Sequence, residues 1–355
     1  MTSAQSWFLR APLAGGPIVG KASPPSFSVI VPAFQAAGTV AEAVRSALKQ
    51  TLEAVEVIVV DDGSTDDLAG ALRGFPSVRL LRRPHRGLAA ARNAGVGVAC
   101  GDFVAFLDAD DVYAPDHLRA LGWASAVRPD LDILTADATF IRGEKASGSF
   151  YRSNPFPEVD QRQAVLTRCF LHANSAVRRS SFLAVNGSDE TFLHGEDWDL
   201  WVRLILSGSR AGLVDHPLVE YRLHGASMSA NLVASYRSRP RVLLKTLKRR
   251  DLSPTERDIA IDALRRSRRR AAKVAASELR GLAARRGWLT LATSREATIR
   301  MRAEGLAGIV APGWVVGREQ PRGGPGSTTP DGHEQPRSGG SPNDPMTLKE
   351  DGGAQ

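Results

Sequence analysis

Val55-Glu-Val-Ile-Val-Val60 runs without a break into Asp61-Asp-Gly-Ser-Thr-Asp66, and this junction decides the fold. A short apolar run rich in β-branched residues reads as a strand buried on both faces. The acidic, glycine-containing segment behind it is a dense turn signal that ends the strand. The arrangement recurs on either side. Phe27-Ser-Val-Ile-Val31 is a buried strand closed by Pro32, and Phe103-Val-Ala-Phe-Leu107 ends in Asp108-Ala-Asp-Asp111. Helical patterns lie between the strands. Val40, Ala43, Val44, Ala47 and Leu48 share a helix face, with Thr39 and Glu42 spaced as a capping box. A helix over 68–75, a strand at Val78–Leu81 and an Ala-rich helix over 88–99 follow. Alternating strands and helices predict an α/β fold, a Rossmann-like and mostly parallel central sheet flanked by helices. Ligands of such sheets bind beyond the carboxyl ends of the strands, where both acidic clusters stand.

Outward from this core the chain changes character. Residues 1–26 read as a flexible leader, interrupted by Gly15, Gly16, Pro17, Pro24 and Pro25, and they make a poor signal peptide. Residues 27–113 form the strand-rich half and 114–230 a second half of helices and shorter strands. In the latter, Glu196–Ser207 is predicted helical, with Leu200, Trp201, Leu204 and Ile205 on one face and Gly208 as a stop. Residues 231–317 read as basic helices. Residues 318–355 are rich in Gly, Pro, Ser, Asp, Glu and Gln, a composition that predicts disorder.

Charge follows the same division. Residues 236–302 hold 20 Lys and Arg against 6 Asp and Glu, a local +14 within a total of +8, which leaves the remainder at −6. An anionic partner for the C-terminal region is the expectation. The chain has two cysteines, Cys100 and Cys169, too few for a disulfide framework, which points to a reducing compartment. No stretch of about 18 uninterrupted apolar residues predicts a membrane span. The expected location is cytoplasmic, with peripheral contact at the inner face of the membrane.

The strand ends carry the chemistry. Asp108 and Asp110, one residue apart after a buried strand, offer hard oxygen ligands to Mn²⁺ or Mg²⁺, whose charge would offset a diphosphate. The alternative is a solvated turn capping the next helix. A carboxylate at Asp61 or Asp62 can accept from a base imide or a ribose hydroxyl, and Gly63 lets the backbone turn close to a ligand. The alternative is an Asx turn. Glu196 and Asp197 open a predicted helix, whose N-terminus favours carboxylates. Asp197 is there a candidate general base, with Trp198 as aromatic surface for a sugar; the alternative is that both acids only satisfy the helix end. His224 reads equally as a phosphate or metal contact and as a structural histidine. His172, Asn174 and Ser175 are candidates for an acceptor side, and His85 and Arg86 for phosphate contacts.

Taken together the pieces are more specific than any one. The stretches Phe27-Ser-Val-Ile-Val-Pro-Ala-Phe34, Val57-Ile-Val-Val-Asp-Asp-Gly-Ser-Thr-Asp66, Gly87-Leu-Ala-Ala-Ala-Arg-Asn-Ala-Gly95 and Phe106-Leu-Asp-Ala-Asp-Asp111 stand in sequence. His194-Gly-Glu-Asp-Trp-Asp-Leu-Trp201 and Tyr221-Arg-Leu-His224 follow them. In residues, order and spacing this set resembles the family 2 glycosyltransferases of the GT-A fold, over roughly residues 27–230. The resemblance implies an inverting transfer from a nucleoside diphosphate sugar, UDP in the first instance, to a hydroxyl acceptor on a glycan or lipid-linked glycan, in cell-surface polysaccharide or glycolipid synthesis. It implies a nucleotide pocket lined by Pro32, Ala33 and Phe34, with Asp62 reading the base and Asp61 in support. Arg92 would organise the pocket or face the diphosphate. Asp110 would be the principal metal ligand, with Asp108 and Ala109 beside the nucleotide sugar, Asp108 and His224 near the metal, and Asp197 as general base. Glu196, Trp198 and Asn174 would lie on the acceptor side. Many relatives carry Tyr and Asn where this chain has Phe34 and Gln35.

Two other classes share parts of this pattern. A sugar nucleotidyltransferase shares the sheet and the carboxylates, but it carries a basic Gly-rich loop after the first strand. Here that loop is Pro32-Ala-Phe-Gln-Ala-Ala-Gly38, without Lys or Arg. A binding protein for nucleic acid or an anionic surface is prompted by Arg265–Arg270, but aromatics are scarce there, so no nucleic acid is expected.

Overall fold

The computed structural model describes residues 8–9, 24–157, 159–225 and 232–278. The expectations for most of 1–26, for 279–317 and for the tail 318–355 fall outside the described residues.

The strands read from the sequence are present with small changes of boundary. They are β2 (Phe27–Ala33), β3 (Glu56–Asp61), β4 (Arg79–Arg82) and β5 (Phe103–Phe106), all parallel, in the order β4-β3-β2-β5. Alternate residues of β2 and β3 enter opposite cores, as the period of two requires. Val29, Val31, Val57 and Val59 pack on one face with α1 (Val40–Leu48) and α4 (His117–Val127). Ile30, Ile58 and Val60 pack on the other with α3 (Leu88–Val98) and α8 (Glu196–Leu206).

Two local expectations are corrected. No capping box forms at α1: Thr39 Oγ1 donates to the Ala36 carbonyl, while the Glu42 carboxylate binds the Arg222 guanidinium from 180 residues away. The helix expected over 68–75 shrinks to α2 (Leu68–Ala71), capped by Asp67 accepting from Gly70 N.

The second half departs further from the sequence reading. The expected shorter strands include the two longest in the described residues, β7 (Ile133–Arg142) and β10 (Ala211–Arg222). They pair in parallel with register shifts around Pro217, which cannot donate to a ladder and interrupts the pattern that would have marked the strand. The short β9 (Ala176–Arg178) runs antiparallel between β5 and β7 and joins the halves into one mixed sheet. β1 (Phe8–Leu9), from the stretch read as leader, pairs with β10. β6 (Val112–Tyr113) and β8 (Lys145–Ser149) add antiparallel arms to β10 and β7. The remaining short helices are α5 (Phe150–Ser153), α6 (Gln161–Thr167) and α7 (Arg179–Ala184).

The basic region begins as the helices α9 (Leu232–Thr246) and α10 (Pro254–Glu278). They are part of the packed domain. Val242, Leu243, Ala260 and Leu264 are buried with residues of α6 and α8 in one apolar cluster. No helix of the described residues is long and apolar enough to cross a membrane.

Candidate active site

β2, β3 and β5 end along one sheet edge, and the N-terminus of α8 faces them. Between them lies a cavity of about 700 Å³. Its lining includes Pro32, Ala33, Phe34, Asp62, Arg92, Asp108, Ala109, Asp110, Glu196, Asp197 and His224. Residues drawn from all six sequence motifs thus meet in one space.

On the β2–β3 side, Phe34 is 47% exposed and its ring stacks on His85 at 4.1 Å. The buried Asp62 carboxylate accepts from Arg86 N and Gly87 N and lies 2.9 Å from His85 Nδ1. It therefore ties the loop before α3 to the end of β3. Gly63 is needed at this junction. Its φ is +79°, and a Cβ there would lie 2.6 Å from His85 N. Asp61 is corrected from the binding set: it does not line the cavity but accepts from Ser64 N and pairs with Arg82 at 3.4 Å. Arg86, a candidate for phosphate, instead pairs with Glu190 at 2.8 Å.

On the β5 side, Asp108, Ala109, Asp110 and Asp111 form one tight acidic turn. Asn174 holds it from below: its side-chain oxygen accepts from Asp108 N, and its Nδ2 donates to Asp111 at 2.5 Å. Asn174 is fully buried, so its acceptor-side assignment is corrected to support of this turn. His172 and Ser175 are corrected likewise. They lie in a buried hydrogen-bonded group with Thr135, which also accepts from the Tyr151 hydroxyl. Burial and the charge of Asp108 raise the pKa of Asp110. Burial, Asp108 and Asp110 raise that of Asp111 well above the usual carboxylate range. His224 Nε2 stands 2.8 Å from Asp110 Oδ2. These crowded carboxylates with an adjacent imidazole are a donor set that a hard divalent cation fits, since its charge relieves the repulsion that raises the acids. Among the described residues no group of three or more His, Cys, Asp or Glu is already arranged to hold a metal ion, so a cation here would draw further ligands from a bound diphosphate or water.

Arg92 joins the two sides. It is buried, donates to Asp108 at 3.0 Å and to Glu196 at 3.2 Å, and lies over the Phe106 ring. The sequence placed Arg92 in the pocket, but its role as a bridge between β5 and α8 depends on a contact 104 residues away. Glu196, also buried, has its pKa pushed up to about 7 by burial first and then by Asp197, against the opposing charge of Arg92. Asp197 is raised too, chiefly by burial, with Arg92 and a hydrogen bond from Trp198 N opposing. Trp198 is corrected: it is 4% exposed, with its indole N–H donated to the Val165 carbonyl, and belongs to the core. The exposed apolar surface at this end is Leu193, 70% exposed, which the sequence reading did not single out. Cys100 and Cys169 are free thiols.

With this geometry in view, the comparisons with known proteins are specific. The family described as Glycosyl transferase family 2 matches residues 28–184. The uncharacterized glycosyltransferase YibD of Escherichia coli strain K12 is 29% identical over 218 residues, covering 57% of this chain and 62% of that protein. The chain thus spans less than two thirds of that relative's length. The UDP-Glc:alpha-D-GlcNAc-diphosphoundecaprenol beta-1,3-glucosyltransferase WfgD of Escherichia coli is 27% identical over 211 residues, covering 58% of this chain and 79% of that protein. Among solved structures, S. aureus TarS 1-349 in complex with UDP-GlcNAc matches with a TM-score of 0.60 at 18% identity, over 78% of this chain and 83% of that one. That likeness shows the GT-A fold. Residues 28–184 thus match the glycosyl transferase family 2 model, on a sheet of the GT-A fold.

Proposed function

We propose that the protein transfers a sugar from a UDP sugar to a hydroxyl of a glycan or lipid-linked glycan, with inversion at the anomeric carbon and dependence on Mn²⁺ or Mg²⁺. The convergence of Asp62, Asp108, Asp110 and Asp197 on one cavity carries this reading. Asp62 reads the base beside the Phe34 ring. Asp110 and His224, with Asp108 beside them, would hold the cation, which would supply positive charge to the departing diphosphate. Asp197 accepts the proton of the acceptor hydroxyl as that oxygen attacks the anomeric carbon from the face opposite the leaving group. One carboxylate suffices for this single displacement. Arg92 keeps Asp108 and Glu196 in place on either side of the reaction.

A lipid-linked acceptor is supported by WfgD, whose name pairs UDP-Glc with a diphosphoundecaprenol acceptor. The basic helices α9 and α10, packed beside α8 and α6, fit peripheral contact with an anionic membrane at its inner face.

Titration of UDP with and without Mn²⁺ tests the donor side. Strong metal dependence is expected in the wild type and little in Asp110→Ala. Metal-independent UDP binding by the wild type would show that the carboxylate turn has another task.

A further inference from the structure

We infer that Gln35 is a positioning residue that sets the geometry of the nucleobase slot, and with it the choice of base. The inference rests on the donor reading above and concerns a residue outside the motif set assigned to donor, metal or proton transfer.

The backbone creates the need. β2 and β3 are paired up to Ala33 and Asp61, and Asp62 N donates to the Ala33 carbonyl. Beyond that bond the ladder ends, and the two strand tips separate. One tip carries Phe34 and the other carries Asp62, the face and the edge of the slot. Without a tie, their spacing would vary with the motion of two loops.

Gln35 supplies the tie. Its side-chain oxygen accepts from Thr65 N at 3.1 Å and Asp66 N at 3.2 Å, and its Nε2 donates to Thr65 Oγ1 at 2.7 Å. Its own backbone N–H donates to Ser64 Oγ at 3.0 Å. The amide can serve two backbone donors and one hydroxyl in only one orientation, so the contacts fix it. A further bond, from Ala37 N to Asp66 Oδ2 at 2.7 Å, closes the same seam. The φ of Gln35 is +52°, a left-handed conformation that glutamine rarely adopts. Such a conformation persists where its surroundings determine it, and here the side-chain bonds do so. The consequence falls on Phe34, whose peptide is joined to this residue and whose ring lies against His85, itself held by Asp62. Gln35 therefore completes a ring of contacts running Phe34, His85, Asp62, the 64–66 turn, and back.

The test is UDP and GDP binding by wild type, Gln35→Ala, Gln35→Asn and Thr65→Val, each with its melting temperature. Asn tolerates a left-handed backbone but is too short to reach Thr65, so it separates the tie from the backbone conformation. Loss of the tie is expected to weaken UDP binding about tenfold in both Gln35 variants, with a smaller loss in Thr65→Val. The preference for UDP over GDP should fall with it, a readout that general loosening of the domain would not produce. Gln35 variants that keep both wild-type UDP affinity and wild-type discrimination would overturn the inference. Equal losses for both nucleotides would also overturn it, by reducing Gln35 to a structural role. A wild type that binds no nucleotide diphosphate would instead overturn the donor reading. Thr65→Val, which removes a single contact, decides the matter if the Gln35 variants do not fold.

Discussion

At the residue scale, the two acids at the start of α8 have different surroundings. Asp197 faces the cavity and Glu196 is engaged by Arg92. Asp197→Asn keeps shape and hydrogen bonding but cannot accept a proton. Transfer is expected to fall by about 10²–10⁴-fold while UDP affinity stays near wild type. Product NMR should show the anomeric configuration opposite to the donor's; retention would remove Asp197 from the role of base. Because its pKa is raised, the acid limb of the activity profile should lie above that of an ordinary aspartate. Glu196 makes a stability prediction. A carboxyl that binds its proton more tightly when folded contributes stability below its unfolded pKa and loses it as pH rises through the folded value. The wild type should therefore lose stability relative to Glu196→Gln between about pH 5 and pH 8, each pKa unit corresponding to about 1.4 kcal/mol. Urea midpoints at the two pH values measure it, and parallel curves would show that Arg92 already neutralises the site.

At the element scale, the site depends on how strand ends are joined to the loops beyond them. The β3 end and the loop before α3 approach so closely at Gly63 that a Cβ would collide with the His85 backbone, which has no flexible end to move aside. Gly63→Ala also forces alanine into a left-handed conformation, at about 1–2 kcal/mol. Both a lower melting temperature and weaker UDP binding are expected, because relief of the clash moves His85 off Phe34. A variant that melts lower yet binds UDP normally would separate this junction from the nucleotide site. The same scale shows why α1 lacks its capping box. Glu42 has a better partner in Arg222, whose guanidinium takes both carboxylate oxygens, at 2.6 and 2.7 Å. Arg222 N also donates to Asp111, so this single residue ties α1, β10 and the acidic turn together.

At the scale of the whole molecule, charge is separated from chemistry. The motif-bearing part holds the acids, whereas residues 232–278, α9 and α10 with the connector between them, hold 14 Lys and Arg against 5 Asp and Glu. Part of this charge is spent internally: Lys245 binds Asp189 and Asp199 at 2.6 and 2.7 Å. Arg237, Arg239 and Arg241 are exposed on α9, and Lys248 just beyond its end. Each Lys or Arg near an anionic surface contributes about 1 kcal/mol, screened beyond about 8 Å. Co-sedimentation with anionic vesicles should be measurable at low salt and lost at high salt. Equal binding to neutral vesicles would sink the membrane assignment, and tighter binding to DNA would favour a nucleic-acid partner.

The sequence by itself determined the parallel half of the sheet and the placement of acids at its edge. Those features are local: an apolar β-branched run, then a turn of Asp and Gly, is legible within ten residues because strand burial and turn chemistry act at that range. It also marked Asp62, Asp108, Asp110 and Asp197, because motif order carries over without coordinates. Only the tertiary structure decided what those residues touch. Trp198 and Asn174 turn inward because α8 and the 172–175 segment present those faces to the core and to the acidic turn, a choice that depends on elements distant in sequence. Arg92 meets Asp108 and Glu196, and Gln35 meets the 64–66 turn, only once the sheet has brought their segments together. The reason is physical: a pattern along the chain specifies which face of an element is apolar, while a buried charge finds its partner through packing across the whole domain.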